Sequence, residues 1–280
     1  MSVSMRAECQ DKGTRMFFRD WYGGGMNCCH VSHWAGGFLI LLICCLSGCA
    51  GKNYTTTWEG GTAQQIHAII NSGAHVNVAT AQGVSALMVA AKSNPHPDAI
   101  QAMIDAGANV NARTVSNKTA LSFAARFNSN AEVLMTLLRA GAEVNTQDAE
   151  GYSPLILAAT YNPNIEITRI LLEAGADTNL QTVDGYTALM FSSANSQPTK
   201  KLKMLLDHGA NINAAEMYGN TVLVLAGQKT SNVEIFKTLV EAGANVNAAN
   251  ILGETALSLA KKRANNQQVV DYLLQAGAKE

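Results

Sequence analysis

"SPLILAATYNPNIEITRILLEAGADTNLQTVDGY", residues 153–186, contains all the local signals that decide the fold of this chain. Ser153 predicts a helix start, because its hydroxyl accepts a hydrogen bond from an unpaired amide, and Pro154 has no amide to leave unpaired. The Asn-Pro pair at residues 162–163 ends this helix. A second helix with larger apolar residues follows and ends at Gly175, since glycine enters the left-handed region without strain. The stretch therefore predicts a helix, a loop, a second helix and a turn.

The same signals recur along the chain with a period of 34 residues. Gly-Ala pairs begin at Gly73, Gly107, Gly141, Gly175, Gly209, Gly243 and Gly277. Segments of the type "TALSFA" begin at Ser85, Thr119, Ser153, Thr187, Thr221 and Thr255. A third series consists of Asn77, Asn111, Asn145, Asn179, Asn213 and Asn247. Three series with one shared period indicate a solenoid in which each unit buries its apolar face against its neighbours.

A unit of helix, loop, helix, Gly-Ala and turn resembles the ankyrin repeat, and the resemblance covers about residues 62–280. It implies an all-α ankyrin solenoid of stacked helix-loop-helix units with β-hairpin-like turns. Residues 62–78 match a second helix only, so they are expected to form an N-terminal half-repeat cap, with Thr62 and Gln65 as a capping box. Six full repeats are expected to follow, at residues 79–112, 113–146, 147–180, 181–214, 215–248 and 249–280.

The units depart from the family pattern in three ways. The family's histidine in "TPLH" is replaced by Met88, Ser122, Ile156, Met190, Val224 and Ser258, which is expected to shift cohesion between repeats towards apolar packing. The turn aspartate survives only as Asp148. The period exceeds the usual 33 by one, and the extra residue falls between the helices, where a convex-side loop is expected to absorb it. Loops of the "NPN" type resemble those of bacterial ankyrin proteins.

The N-terminal region carries all six cysteines, within the first 49 residues. Its apolar run at 38–46 is nine residues long, short of the roughly 20 that span a bilayer but suited to a signal-peptide core. Leu46-Ser47-Gly48-Cys49 resembles the lipobox of bacterial lipoproteins. That resemblance implies a signal peptide at residues 1–48, a lipidated Cys49 and a flexible tether over 49–61. The segment before the apolar run is long for a signal peptide, so a later start, at Met5, Met16 or Met26, stays open.

The lipobox also implies a location. A lipidated chain would be anchored in the membrane of the bacterial cell envelope. Ala50 and Gly51 follow the cysteine, whereas an aspartate there would retain an enteric-type lipoprotein at the inner membrane. The expected location is therefore the outer membrane, on its periplasmic face, with surface display as the alternative.

Composition and spacing disfavour several functions. The formal net charge of −1 provides no basic stripe for nucleic acid. No pair of cysteines has zinc-ligand spacing with partner histidines, so no metal site is predicted. Glu150 and Asp184 lie one period apart, hence about 10 Å apart in a stack, which is wider than the roughly 5 Å of a nucleophile and acid pair. We therefore predict no enzyme activity, no cofactor and no small-molecule substrate.

The variable positions of the repeat indicate the binding surface instead. The family resemblance implies that a protein partner binds the hairpin tips and the concave face of the first helices. Exposed apolar and aromatic residues are expected there at Val115, Phe127, Tyr152, Tyr161, Tyr186, Met217 and Tyr218, and also at Val183, Ile251 and Leu252. Tyr152 and Tyr186 share one phase of the repeat and are the predicted centre of binding. The alternative is that these rings pack on the neighbouring turn and only extend the core.

Two functions fit a tethered, non-catalytic solenoid. The first is a scaffold or adaptor that recruits a protein of the envelope. The second is a periplasmic inhibitor, such as an immunity protein that masks a toxin or an envelope enzyme.

Overall fold

The computed structural model describes residues 29–30, 43–44, 55–193 and 198–279. The chain divides into two compact units, residues 1–49 and residues 50–280. In the first unit, strand β1 (Cys29–His30) pairs antiparallel with strand β2 (Ile43–Cys44), so that Cys29 lies opposite Cys44. The lipidation site predicted at Cys49, and the signal peptide apart from these two strands, lie outside the described residues.

The described part of the second unit consists of helix pairs. The pairs are α1 (Thr55–Gly60) with α2 (Ala63–Asn71), α3 (Ala86–Ser93) with α4 (Pro97–Asp105), α5 (Ala120–Phe127) with α6 (Ala131–Arg139), α7 (Pro154–Tyr161) with α8 (Ile165–Glu173), α9 (Ala188–Ser192) with α10 (Pro198–Asp207), α11 (Val222–Lys229) with α12 (Val233–Glu241), and α13 (Ala256–Lys261) with α14 (Gln267–Gln275). First helices pack on first helices and second helices on second helices of the neighbouring repeat. This arrangement confirms the predicted all-α solenoid. Among the described residues, no helix has the length and apolar character needed to cross a membrane.

The core runs along the stack as one continuous cluster. The first helix of each full repeat contributes one leucine that is at most 2% exposed, at Leu87, Leu121, Leu155, Leu189, Leu223 and Leu257. Burial of one such side chain contributes about 1.5–3 kcal/mol to folding. Because these leucines belong to one cluster that continues from repeat to repeat, no repeat could bury its apolar face alone.

The first helices begin as the repeat pattern predicts. In all six full repeats the Ser or Thr hydroxyl accepts a hydrogen bond from the third helical amide, over distances between 3.2 and 3.4 Å. Where serine replaces the family's histidine, as at Ser122, its hydroxyl also accepts from the Thr119 amide, at 2.9 Å. The replacement therefore strengthens the cap within its own repeat.

The asparagine series supplies polar links between repeats. The Nδ2 of Asn111 donates to the carbonyl of Gly141 at 2.9 Å, and its Oδ1 accepts from the amide of Glu143 at 2.9 Å. The same pair of bonds joins every other member of the series to the next repeat. Twelve such bonds cross the repeat boundaries, so polar contacts add to the apolar packing that is expected to gain weight where the histidine is missing.

The loop between the two helices is also more than an exposed insertion. Asn128 is 5% exposed, and its Nδ2 donates to the carbonyls of Ala91 and Asn94 in the preceding repeat, at 3.0 and 2.9 Å. Asn94 and Asn162 make the equivalent contacts. The loop that is expected to absorb the extra residue thus also carries a buried asparagine that bridges two repeats.

Lys201 continues this inter-helix series in the next repeat. Its Nζ donates to the carbonyls of Ala158 and Asn162, at 3.3 and 2.6 Å, and the residue is 2% exposed. An ammonium thus occupies the place that an asparagine amide holds in the preceding repeats. Burial lowers the pKa of this ammonium from its ordinary value near 10.5.

The residues that replace the turn aspartate keep its contact. Asp148 Oδ1 accepts from the amide of Tyr152 at 2.8 Å. An oxygen of the equivalent residue accepts from the amide four positions later in every other turn, over distances of 2.9–3.2 Å, at Thr80, Thr114, Thr182, Glu216 and Asn250. The turn needs an oxygen acceptor of suitable reach, and five side chains other than aspartate provide it.

The N-terminal cap contains more structure than the half repeat and flexible tether expected over 49–78. Residues 55–60 form helix α1, which packs on α3 as a first helix does. Trp58 is 6% exposed within the core cluster, and Asn94 donates to the carbonyls of Trp58 and Gly61. The Thr62 amide donates to Gln65 Oε1 at 2.9 Å, as the capping box predicts.

Two glycines in the left-handed region give a matched test of close approach. Gly141 has φ 84° and Gly151 has φ 82°. A Cβ on Gly151 would lie 2.8 Å from Thr182 Cα and Val183 N, whereas one on Gly141 would meet no described atom within 4 Å. Gly141→Ala should therefore cost about 1–2 kcal/mol of unfolding free energy, and Gly151→Ala roughly 1–3 kcal/mol more. Urea denaturation measures both, and equal losses would contradict the close approach.

Lys201 predicts a pH dependence of stability. Because burial lowers its pKa in the folded state, the cost of burying the charge is fully present below that folded pKa. That cost disappears as the pH rises through the folded pKa towards 10.5. The unfolding free energy of the native chain relative to Lys201→Met should therefore rise as the pH increases towards 10.5.

Urea denaturation at constant ionic strength measures this difference. Lys203→Met is the matched control, since Lys203 lies exposed on the same helix. The difference in unfolding free energy between Lys203→Met and the native chain should not change with pH. Parallel curves for Lys201→Met and Lys203→Met would show that the Lys201 ammonium is not destabilised in the fold.

Candidate protein-binding surface

The turns between repeats form a row held together by backbone hydrogen bonds. The amide of Val183 donates to the carbonyl of Glu150 at 3.0 Å, and the amide of Met217 donates to Asp184 at 3.0 Å. The same bond recurs at Val115, Ala149 and Ile251. Each turn tip is therefore fixed to its neighbour, and its side chains project from an ordered backbone.

The tips carry exposed apolar side chains. Val115, Val183, Met217 and Ile251 share one phase of the repeat and are 59–78% exposed. Tyr218 and Leu252 occupy the following position and are 53% and 76% exposed. We call these six residues the tip row. Contiguous exposed apolar side chains on a folded domain typically mark an interaction surface.

Tyr152 and Tyr186 are less exposed than the sequence predicts. Both are half-buried and pack against the core cluster. The ring of Phe191 lies between them, with centroid distances of 5.8 Å to Tyr152 and 5.2 Å to Tyr186. Burial raises the pKa of both hydroxyl groups above 10.0. The two rings thus contribute to packing between repeats, and only part of each ring is available to a partner.

Phe127 and Tyr161, the other aromatic pair, are about half exposed, as expected. The Arg126 guanidinium carbon lies 4.9 Å from the Phe127 ring centroid and 4.1 Å from that of Tyr161. Lys92 Nζ lies 5.4 Å from the Phe127 centroid. These distances are typical of cation–π contacts. Lys92, Phe127, Arg126 and Tyr161 therefore form an alternating row across α3, α5 and α7, which we call the cation–aromatic row.

Lys92 and Arg126 are the residues that the sequence interpretation missed. They stand 34 residues apart, each directly before the phase that holds Phe127 and Tyr161. Two basic residues at one position of the repeat, next to the position that holds the aromatic residues, could have indicated cation–π contacts from the sequence. Their contact with both rings depends on the distance between stacked first helices, which the pattern alone does not provide.

A small cleft lies beside the cation–aromatic row. It has a volume of about 130 Å³ and is lined by Lys118, Arg126, Asp148, Glu150, Tyr152, Leu157 and Tyr161. Pockets for small molecules typically have volumes of about 300–1,000 Å³, so this cleft has room for one amino-acid side chain.

The charged groups of the cleft are largely engaged with each other. Lys118 Nζ lies 3.8 Å from Asp148 and 3.9 Å from Glu150. Burial raises the pKa of the Asp148 carboxyl, against the opposing effect of its hydrogen bond from the Tyr152 amide. Among the residues that the structure describes, no cluster of three or more His, Cys, Asp or Glu side chains is placed to hold a metal ion.

Comparison with solved structures supports the fold assigned from the helix pairs. The chain superposes on the human ASB11 ankyrin repeat domain with a TM-score of 0.69 and 27% identity, covering 82% of this chain and 99% of that domain. It superposes on the ankyrin repeat domain of Bcl-3, a unique member of the IkappaB protein family, with a TM-score of 0.62 and 24% identity. That match covers 76% of this chain and 91% of that one and concerns the fold alone. A search of curated protein sequences found no match.

Sequence profiles identify the repeats directly. The profile of three consecutive ankyrin repeats matches residues 57–148 and 123–216, and the single-repeat profile matches residues 218–251. Ankyrin repeats mediate binding to partner proteins and are typically non-catalytic. Since these matches cover more than half of its length, and its helix pairs stack as they require, the chain belongs to the ankyrin-repeat family.

Proposed function

We propose that this chain is a non-catalytic module that binds a partner protein through the tip row and the adjoining surface of the first helices. The observation that carries the proposal is the tip row itself. Six large apolar side chains, each at least half exposed, stand on turns that are hydrogen-bonded to one another. An ordered backbone lowers the entropy cost of binding, because little of the surface has to be immobilised.

The size of the surface features supports a protein partner over a small molecule. The cleft beside the cation–aromatic row takes one side chain, whereas the tip row extends from Val115 to Leu252 over five turns. Protein interfaces combine a few anchoring side chains in small pockets with a wider apolar contact. We therefore assign the chain the role of scaffold or adaptor, with no turnover of a substrate.

Truncation of two tip residues should remove binding without unfolding the domain. Met217→Ala with Tyr218→Ala deletes side chains that are 59% and 53% exposed. The expected change in unfolding free energy is within about 0.5 kcal/mol for each substitution. Capture of the partner should fall at least tenfold, since truncation of an anchoring residue typically costs about 2 kcal/mol or more. Affinity capture from cell-envelope extract, quantified by mass spectrometry, measures the effect.

Leu274→Ala is the matched control for this experiment. Leu274 is 41% exposed and lies on α14, a second helix away from the tips. This variant should capture the partner as well as the native chain does. Equal capture by the tip variant and the native chain would contradict the assignment of the tip row as the binding surface.

We also propose that the mature chain is a bacterial lipoprotein anchored through a thioether at Cys49 in the outer membrane, on the periplasmic face. The support is the Leu46-Ser47-Gly48-Cys49 motif after a nine-residue apolar run. Helix α1 begins at Thr55, so the tether after Cys49 would extend at most about 20 Å. Such an anchor would hold the repeats close to the membrane surface.

Mass spectrometry of the mature N-terminus tests the anchor. The expected chain begins at an acylated Cys49, and Cys49→Ser should release the protein from the membrane fraction, because each buried methylene contributes about 0.8 kcal/mol to anchoring. An unacylated N-terminus at another residue would contradict the proposal, as would a membrane-bound Cys49→Ser variant.

A further inference from the structure

The cation–aromatic row holds two cations that lack acidic partners. Among the described residues, neither Lys92 nor Arg126 lies within 4 Å of a carboxylate, although other cations of the domain are paired, such as Arg113 with Glu143 and Lys237 with Glu234. The Nε of Arg126 is buried and has no hydrogen-bond acceptor among the described residues. A buried donor without a partner destabilises the fold.

Arg126 Nε is buried, so the donors that a partner could reach are the two terminal amino groups, for which the described residues show no hydrogen bond. The rings of Phe127 and Tyr161 lie near the guanidinium carbon, and such contacts attract the positive charge without accepting the N–H hydrogens. A guanidinium presents its donors as a planar fork that matches the two oxygens of a carboxylate. The site thus has a positive charge, aromatic neighbours and unpaired donors.

The carboxylates that line the neighbouring cleft do not fill this role. Asp148 Oδ1 accepts from the amides of Glu150 and Tyr152, at 3.1 and 2.8 Å. Both carboxylates lie within 4 Å of Lys118. Their negative charge at the edge of the cleft repels a doubly charged group such as a phosphate more strongly than it repels a singly charged carboxylate. A group with one negative charge suits the site better.

We infer that the cation–aromatic row binds the carboxylate of an Asp or Glu side chain in an acidic segment of the partner protein. Arg126 donates to the carboxylate, Lys92 adds a second positive charge, and Phe127 and Tyr161 contact the apolar residues beside it. The cleft of about 130 Å³ accommodates one such side chain. This inference rests on the proposed function and specifies its partner.

The placement of the two surfaces also indicates which part of the partner segment contacts which repeats. The cation–aromatic row belongs to repeats within 79–180, while five of the six tip-row residues, all but Val115, lie between Val183 and Leu252. A segment that follows the stack would place its acidic residues on the earlier repeats and its apolar residues on the later ones.

Selection from a random peptide library on the immobilised full chain tests the inference. Peptides selected by the native chain should be enriched in Asp and Glu relative to the library, together with apolar residues. The enrichment in acidic residues should be lost with Arg126→Gln and kept with Arg169→Gln. Arg169 is the matched control, since it is an exposed arginine already paired with Glu166 and Glu173 on a second helix.

Fluorescence anisotropy then measures the contact itself. One selected peptide is compared with its counterpart in which the acidic residue becomes Gln or Asn. The exchange should weaken binding at least tenfold for the native chain and less than twofold for Arg126→Gln, the signature of a direct pair. Lys92→Gln should show a smaller loss and serves as the second variant if Arg126→Gln fails to fold in thermal denaturation.

The outcomes separate the inference from the function on which it rests. Selected peptides without acidic enrichment, or an enrichment that persists in the folded Arg126→Gln or Lys92→Gln variant, would overturn the inference and leave the binding function standing. A chain that selects no peptide at all, with a tip variant that captures as well as the native chain, would overturn both.

Discussion

The side chain of each of the six asparagines of the 34-residue series, from Asn77 to Asn247, makes two hydrogen bonds to the following repeat, and the stack depends on this contact. One bond reaches the carbonyl of the helix-ending glycine, and the other comes from an amide two residues later. The glycine carbonyl and the amide point towards the preceding repeat only because the left-handed glycine turns the chain there. Bonds of 2.8–3.3 Å at every boundary between the repeats hold successive helix pairs in register, and each full repeat buries a leucine of its first helix.

Stability and recognition use largely separate atoms in this domain. The tips are joined by backbone bonds, which leaves the side chains of the tip row exposed. Tyr152 and Tyr186 are the exception, because Phe191 packs between them and both rings serve the core as well as the surface. Arg126 shows the opposite balance, since it contacts two rings but keeps donors unpaired. Polar side chains whose hydrogen-bond donors are only partly paired within the fold can still bind a partner.

The repeat period, the start of the first helix in each full repeat and the order of those helices followed from the sequence by itself. These features depend on neighbours a few residues apart, such as the hydroxyl of Ser153 and the amide of Ile156. The tip row was predictable for the same reason, because a turn exposes its central residues wherever the turn lies. The partner-binding role of Phe127 and Tyr161 stays a prediction, although both rings are exposed as expected.

Only the tertiary structure decided the features that depend on the neighbouring repeat. Helix α1 carries no repeat signal, and Trp58 is buried because α1 packs on α3. Lys201 takes the place of a bridging asparagine through the position of its Nζ, which sequence alignment does not reveal. The burial of Tyr152 and the cation–π contacts of Arg126 likewise require side chains one repeat away. Interactions between residues a few positions apart therefore determine the helices and turns of each repeat. The distance between stacked repeats determines which side chains remain free to bind.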